Sequence, residues 1–328
     1  MPAHDPLYDL VDEVRDIEAP VVTATTFGKW VPELVAITAA MPSGTGTNAF
    51  QKRHPERFFD VGIAEGHAVT FAAGLATQGL HPVVAIYSTF LQRGYDNIIH
   101  DVALQHLPVV FAMDRAGLVG EDGETHMGLY DIAYMLAVPG MTVTAPRDGA
   151  EMLALLRAGV AHKDGPFCLR YPRDVVPDQA PAMRDVKPTP YGTWDVVREG
   201  SELAILAVGT MVEPSLAAAE ALAVDGFDVT VVNCRFLKPH DEGTLATILA
   251  RHRHLLVVEE GTVVNGFGAY MASVVAQLDP GVRVTAHGVP DRIVYAASRK
   301  RQLALTGLDA EGIADKVRAM HGSEALAG

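Results

Sequence analysis

Four short apolar runs in the first half of the chain are each followed by residues able to do chemistry. After FFDVGI come Glu65 and His67, and after VVAI come Tyr87, Ser88, Phe90 and Arg93. After VVFAM comes a long glycine-rich stretch, DRAGLVGEDGETHMG, which holds Asp114, Arg115, Asp122 and His126. FCLRYPRD then supplies Arg170 and Arg173. Singly, each has a bland explanation. Glu65 at a helix start is favoured by the helix dipole alone, and Phe90 on a first helical turn suits a core. His67 and His100 suit hydrogen bonding within packed structure, and Arg173 beside a proline suits a solvated linker. An acid, an aromatic ring, a histidine and several arginines gathered at strand ends are, together, the makings of a small-molecule site. Grouped arginines there could hold one phosphate.

These positions share one rim only if the runs are parallel strands. LVAITAA, FFDVGI, HPVVAIY, LPVVFAMD, MTVTAP and FCLRY alternate with helical segments, which predicts a parallel sheet covered by helices on both faces. Open sheets of this kind bind ligands beyond the carboxyl ends of their strands. Crossover helices are expected at Glu65–Leu80, Ser88–Leu104 and Asp148–His162, with Ser88 and Pro146-Arg147-Asp148 as helix starts. After Arg173 the proline-rich text VVPDQAPAMRDVKPTPYGTWDVV reads as a linker. A second alternating series follows: ELAILAVG, FDVTVVNC, HLLVVEE and RVTAHGV, with helices near Glu213–Val224, Gly243–His252, Phe267–Leu278 and Arg299–Thr306. The expected fold class is α/β, with two domains that are each a mainly parallel sheet flanked by helices. Their expected spans are 21–175 and 195–328, joined by a linker at 176–194, with 1–20 ambiguous.

A chain of 328 residues suits two domains. No stretch approaches the roughly 18 unbroken apolar residues of a membrane span, and the acidic start MPAHDPLYDLVDEVRDIE is unlike a secretory signal. A soluble, cytoplasmic protein is expected. The net charge of −14 argues against nonspecific nucleic-acid binding, yet a local arginine cluster can still bind a phosphorylated small molecule. Cys168 and Cys234 sit in apolar runs without metal or redox spacing and read as buried small hydrophobes.

The same stretches carry a family resemblance. FFDVGIAEGHAVTFAAGLA, HPVVAIYSTFLQRGYDNIIHDVALQHLPVVFAMDRAGLVGEDGETHMG and LRYPR resemble the pyrimidine-binding domain of 1-deoxy-D-xylulose-5-phosphate synthases, transketolase-like enzymes that depend on thiamine diphosphate. VNCRFLKPHDEGTL, VVEEGTVVNGFG and HGVPDRIV resemble that family's C-terminal domain, so the likeness runs from about Thr26 to the end. It implies that Glu65 contacts the aminopyrimidine ring nitrogen, where a shared proton favours the imino tautomer, and that Phe90 stacks on the ring, with Ile63 also on the cofactor side. It implies that Arg115 and Arg173 grip the phosphate of glyceraldehyde 3-phosphate. Tyr87, Arg93, Asp122 and His126 would surround the substrate, the last two hydrogen-bonding hydroxyls or relaying protons. Pyruvate would be the two-carbon donor.

The sequence departs from the family in places. The GDG…N stretch through which such enzymes hold the diphosphate by a divalent metal does not occur here. Mg2+ is therefore expected only through another domain or a partner chain, and the chain is expected to act as a homodimer or within a heteromer carrying that domain. Gly66 replaces a glutamine, Met127 another glutamine, and Asp174 a glycine, the last placing a negative charge near a proposed phosphate ligand. The segment TFGKWVPELVAIT is shorter than the family's. A transketolase-like subunit drawing on a ketose phosphate, or a non-catalytic assembly or regulatory remnant, are the alternatives. The substrate-loop residues argue against a pyruvate dehydrogenase β-type subunit.

Overall fold

A computed structural model describes residues 31–174 and 186–325. The expectations for residues 1–20, for the segment around Trp30 and for most of the linker lie outside the described residues.

Six strands of the first half pair in parallel: β1 (Leu34–Thr38), β2 (Phe58–Asp60), β3 (His81–Tyr87), β4 (Val110–Asp114), β5 (Thr142–Thr144) and β6 (Phe167–Arg170). Every residue of β3 and β4 is buried, as continuous apolar runs between two helical layers require. The second sheet runs β12-β11-β8-β9-β7, built from β7 (Asp195–Arg198), β8 (Leu203–Ala207), β9 (Val229–Asn233), β11 (His254–Thr262) and β12 (Arg283–Val289). Only β7 in this sheet is antiparallel, to β9.

Between these two series the chain doubles back. Strand β10 (Phe236–Lys238), inside the span expected to build the second domain, lies antiparallel against β5 and makes a seventh strand of the first sheet. Its Phe236 packs edge-on against Phe167 and Tyr191, and the Trp194 indole donates to its carbonyl at 2.6 Å.

The helices are α1 (Asn48–Arg53), α2 (Glu65–Thr77), α3 (88–103), α4 (Asp131–Ala137), α5 (Gly149–Ala161), α6 (Val212–Val224), α7 (Glu242–Arg251), α8 (Phe267–Leu278), α9 (Arg299–Thr306) and α10 (Ala310–Ala325). Asp148 caps α5 by accepting from the Glu151 N–H, and Asp241 caps α7 from Thr244, each satisfying an otherwise orphan donor. The helix expected at Ser88–Leu104 is not regular. It passes from an α-turn through a 3-10 turn at Gln92–Gly94 to a π-helical end at Ile98–Ala103. Ser88 begins it without a side-chain cap. Helices α1, α4 and α10 extend beyond the expected set.

The core explains how the two sheets are joined. Alternation along β8 sends Ala204 and Leu206 into a cluster continuous with the first sheet's core, while Leu203, Ile205 and Ala207 point into a second cluster on the other face. That second cluster also contains Leu118, Val119, Met127 and Leu129, all from the glycine-rich loop after β4. Thus the loop's apolar residues complete the core of the sheet to which it does not belong by sequence. Cys168 and Cys234 are both buried and free.

Because Phe236 is fully buried in a strand shared between the halves, Phe236→Ala should cost about 3–5 kcal/mol of stability. It should lower the urea midpoint of both halves together. A variant that unfolds one half while leaving the other at its wild-type midpoint would show that β10 does not couple them.

Candidate active site

Helix α2 starts at Glu65, immediately beyond β2, which places the carboxylate at the carboxyl-end rim of the sheet. Glu65 is 4 % exposed, and its Oε1 accepts from Arg93 Nη1 at 2.6 Å. The Arg93 guanidinium also lies 5.3 Å from the centre of the Phe90 ring. Phe90 is half-buried; it stacks on Tyr87 at 5.6 Å and meets the His126 ring edge-on at 5.3 Å. His126 is positioned in turn by Thr125, whose hydroxyl lies 2.9 Å from Nδ1.

Arg115 closes the set. Its guanidinium carbon sits 3.9 Å from the Tyr87 ring centre, a cation–π contact, and Nη1 donates to the Gly44 carbonyl at 2.9 Å and to Asp114 at 3.0 Å. Its Nε is 3.5 Å from Asp122, a charge contact too long for a good hydrogen bond. The other oxygen of Asp122 accepts from Arg173 Nη1 at 2.9 Å. One continuous series of contacts therefore runs from Glu65 through Arg93, Phe90, Tyr87 and Arg115 to Asp122 and Arg173, with His126 beside Phe90. Ile63 stands at the rim, 82 % exposed.

Local backbone geometry makes these contacts possible. Arg115 is a non-glycine residue held at φ +56°, a left-handed conformation that turns its side chain back over Tyr87. Two glycines allow the close approaches. A Cβ at Gly44 would come 2.0 Å from the Tyr87 hydroxyl, and one at Gly128 would come 2.1 Å from the Arg115 carbonyl. Gly128 exchanges backbone hydrogen bonds with Gly117 at 2.6 and 2.9 Å, pinching the loop at its neck.

Asp114, at the end of β4, is buried, and loss of solvation pushes its carboxyl up to about 6 despite the opposing Arg115 charge. Burial likewise raises the Tyr87 phenol above its ordinary value, with Arg115 working against it.

Some rim residues are not drawn into this cleft. Arg170 is buried behind the sheet edge, donating to Asp131 at 2.8 Å and to the Glu260 carbonyl at 3.0 Å. His67 and His100, expected within packed structure, are both exposed: His67 stacks on Phe71 and His100 pairs with Asp101. Helix α2 turns His67 outward, two residues on from buried Glu65, and the α3 surface does the same for His100. Among the departures, Asp174 pairs with Arg299 at 2.5 Å instead of facing Arg173, and Met127 is buried in the second core. A Cβ at Gly66 would sit 2.8 Å from the Asn97 amide oxygen, so its neighbour on α3 uses the space. Gly44, Glu260 and Gln302 are missing from the residues singled out in the sequence. Gly44 lies in the glycine-rich turn PSGTG after β1, which is the one local cue.

Among the described residues no cluster of histidines, cysteines or acids could hold a metal ion, and no helix is long and apolar enough to cross a membrane.

An α/β pair of sheets with an acid, an aromatic ring and arginines at one rim agrees with what sequence comparison finds. The transketolase pyrimidine binding domain matches residues 22–179, and the transketolase C-terminal domain matches residues 192–313. The chain belongs to the transketolase family. Within it, the chain is 47 % identical over 297 residues to a 1-deoxy-D-xylulose-5-phosphate synthase of Synechococcus sp. (strain JA-2-3B'a(2-13)), covering 90 % of this chain and 46 % of that protein. It is 50 % identical over 289 residues to the synthase of Gloeobacter violaceus, covering 87 % of this chain and 45 % of that protein. The chain thus spans a little under half the length of these curated relatives. A solved structure titled split gene transketolase, inactive beta4 tetramer, superposes with a TM-score of 0.81 at 29 % identity, covering 92 % of this chain and 96 % of that one.

The raised Asp114 carboxyl gives a pH test. An unfolded aspartate titrates near 3.9, so in folded protein the group holds its proton more tightly, and its contribution to stability declines as pH rises from about 4 to about 6. Relative to Asp114→Asn, wild type should lose roughly 2 kcal/mol of unfolding free energy across that window. Urea titrations at several pH values check this, and a difference that does not change with pH would place the carboxyl's titration outside the window.

Proposed function

We propose that this chain carries the aminopyrimidine side and the sugar-phosphate side of a thiamine-diphosphate-dependent two-carbon transferase. The reaction is 1-deoxy-D-xylulose-5-phosphate synthesis from pyruvate and glyceraldehyde 3-phosphate. The observation that carries this reading is the joining of Glu65, Phe90, Tyr87, Arg115, His126 and Arg173 in one continuous series of contacts at one rim of the first sheet. The likeness to the synthases, spread over most of the chain, supports the same substrates.

The residues present fit an aminopyrimidine. Glu65 is a desolvated carboxylate engaged through one oxygen, and among the described residues its Oε2 accepts no hydrogen bond. Phe90 offers a ring to stack on, worth about 1 kcal/mol beyond its buried area. Bound thiamine diphosphate supplies the carbanion chemistry of the transfer. Glu65 holds a proton at the ring nitrogen, and Phe90 with Ile63 orients the ring. Arg115 and Arg173 take the acceptor's phosphate, which competes with Asp122 for the same guanidinium groups, and His126 hydrogen-bonds a hydroxyl or moves its proton. Tyr87 and Arg93 line the substrate space. The diphosphate and its divalent metal, taken as Mg2+, are held by residues outside these 328, in another domain or a partner chain. The protein works in the cytoplasm as a homodimer or within a heteromer.

A second reading has one observation behind it, the superposition on a split-gene transketolase. In that case the donor is a ketose phosphate. The two are separated by combining the chain with a diphosphate-binding domain that contains a GDG…N stretch and comparing donors. Turnover of pyruvate with glyceraldehyde 3-phosphate is expected, and turnover confined to ketose phosphates would replace the synthase reading. In the same assembly Glu65→Gln should lower turnover by about 10²- to 10⁴-fold. Unchanged turnover would turn the chain into a non-catalytic assembly subunit.

A further inference from the structure

The loop between Gly117 and Gly128 brings Asp122 and His126 to the cleft, yet little of the first sheet holds it there. Its ends are tied to each other at the Gly117–Gly128 pair. Its apolar residues, Leu118, Val119 and Met127, are packed into the second sheet's core. Two buried polar side chains from the second half reach its backbone. Glu260, at the end of β11, accepts from the Leu118 N–H at 2.8 Å. Gln302, on α9 and fully buried, accepts from the Gly120 N–H at 2.8 Å and donates to the Gly120 carbonyl at 3.2 Å and the Tyr295 carbonyl at 2.9 Å.

The Gln302 amide therefore pairs with both polar groups of one peptide-bearing residue, as a neighbouring strand would. Gly120 is the first residue of the 3-10 turn Gly120–Asp122. The next turn, Glu124–His126, follows after Gly123. A shift of Gly120 would thus move Asp122 directly and His126 through one further turn. Both stations are themselves fixed. Arg299 Nη2 donates to Glu260 at 2.6 Å, the Thr210 hydroxyl donates to it at 3.1 Å, and the Gln302 amide is held on its other side by the Tyr295 carbonyl. Buried amides and carboxylates are costly unless their partners are in place, so each station has essentially one arrangement.

We propose that Gln302 and Glu260 are positioning residues through which the C-terminal half sets the geometry of the acceptor-phosphate side of the site. They touch neither substrate nor cofactor; they fix the loop from which Asp122 and His126 reach the arginines and Phe90. This deepens the function proposed above and rests on it for the identity of the acceptor. The loop anchoring itself does not.

Amide hydrogen exchange on the folded chain is the first test. In Gln302→Leu, the Gly120 amide should exchange about tenfold faster or more because its bond to Gln302 is lost, and amides from 117 to 128 should rise with it as the loop loosens, while amides of β3 and β4 keep wild-type protection. Gln302→Met keeps most of the side-chain volume and, like leucine, removes the bonds to Gly120 without setting a carboxylate against the two carbonyls, so it should give a similar increase. It also serves where the leucine variant does not fold. In the reconstituted assembly, Gln302→Leu should raise KM for glyceraldehyde 3-phosphate about tenfold while leaving KM for pyruvate within about twofold. Unchanged exchange in the loop, or exchange that rises equally throughout both sheets, overturns the proposal, as does an equal rise in the two KM values. If the wild-type assembly lacks synthase turnover, the functional reading falls and the exchange result alone decides the anchoring.

Discussion

The Glu260 carboxylate is where the two halves of this molecule are made to agree. It is 2 % exposed, and a charge so far from water is tolerated only with partners in place. Those partners come from both sides: Leu118 from the loop after β4, Thr210 from the start of α6, and Arg299 from α9, with Arg170 on the residue's own carbonyl. Sliding one sheet against the other would strand the carboxylate and both arginines together. The relative placement of the halves is thereby set by a desolvation penalty, and the apolar contacts of Leu118, Met127 and Leu129 add to it without choosing a direction.

That arrangement reconciles two demands on the glycine-rich loop. A loop outside any strand has no ladder to hold it, yet its polar side chains need defined positions to make their contacts. Here Asp122 and His126 meet Arg173 and Phe90 while the apolar residues are sunk in a core, so the loop is held through its back. The Asp122 carboxylate, shared between Arg115 and Arg173, keeps two cations in one place. The overall charge of −14 is no obstacle, because the local balance of the cleft, not the surface total, decides what binds.

Much of this was legible in the residues. Buried strands such as HPVVAIY announce themselves as unbroken apolar runs, and helices such as Phe267–Leu278 and Arg299–Thr306 end where capping and breaking residues stand. The rim chemistry was legible for the same reason, since residues after strand ends must lie at one edge of a parallel sheet. Short elements were not. FLK is three residues before a proline, too brief to carry a period, and only its pairing with β5 makes it a strand. The stretch after Ser88 has helical composition throughout, and nothing local foretells its change to a π-turn. Leu118 and Met127 read as loop residues because sequence gives no hint of which core receives a side chain from a loop. Gln302 is invisible for a related reason. On α9 it is one polar residue among many, and only the fold shows that it is fully buried against a backbone 182 positions away.

The contact between Glu65 and Arg93 joins a side chain held in the interior to one that stays largely in water. A fixed, desolvated arginine would contribute more to such an ion pair than a mobile one. The two side chains are not equally buried, however: Glu65 is 4 % exposed and Arg93 is 56 % exposed. A partner that keeps most of its contact with water contributes little to such a pair, of the order of 1 kcal/mol or less, and its long side chain has other places to rest, including the Phe90 ring beneath it. The carboxylate stays where helix α2 puts it, whereas the guanidinium can swing aside. Arg93 covers one face of Phe90 and one oxygen of Glu65 at once, so displacing its guanidinium would uncover both.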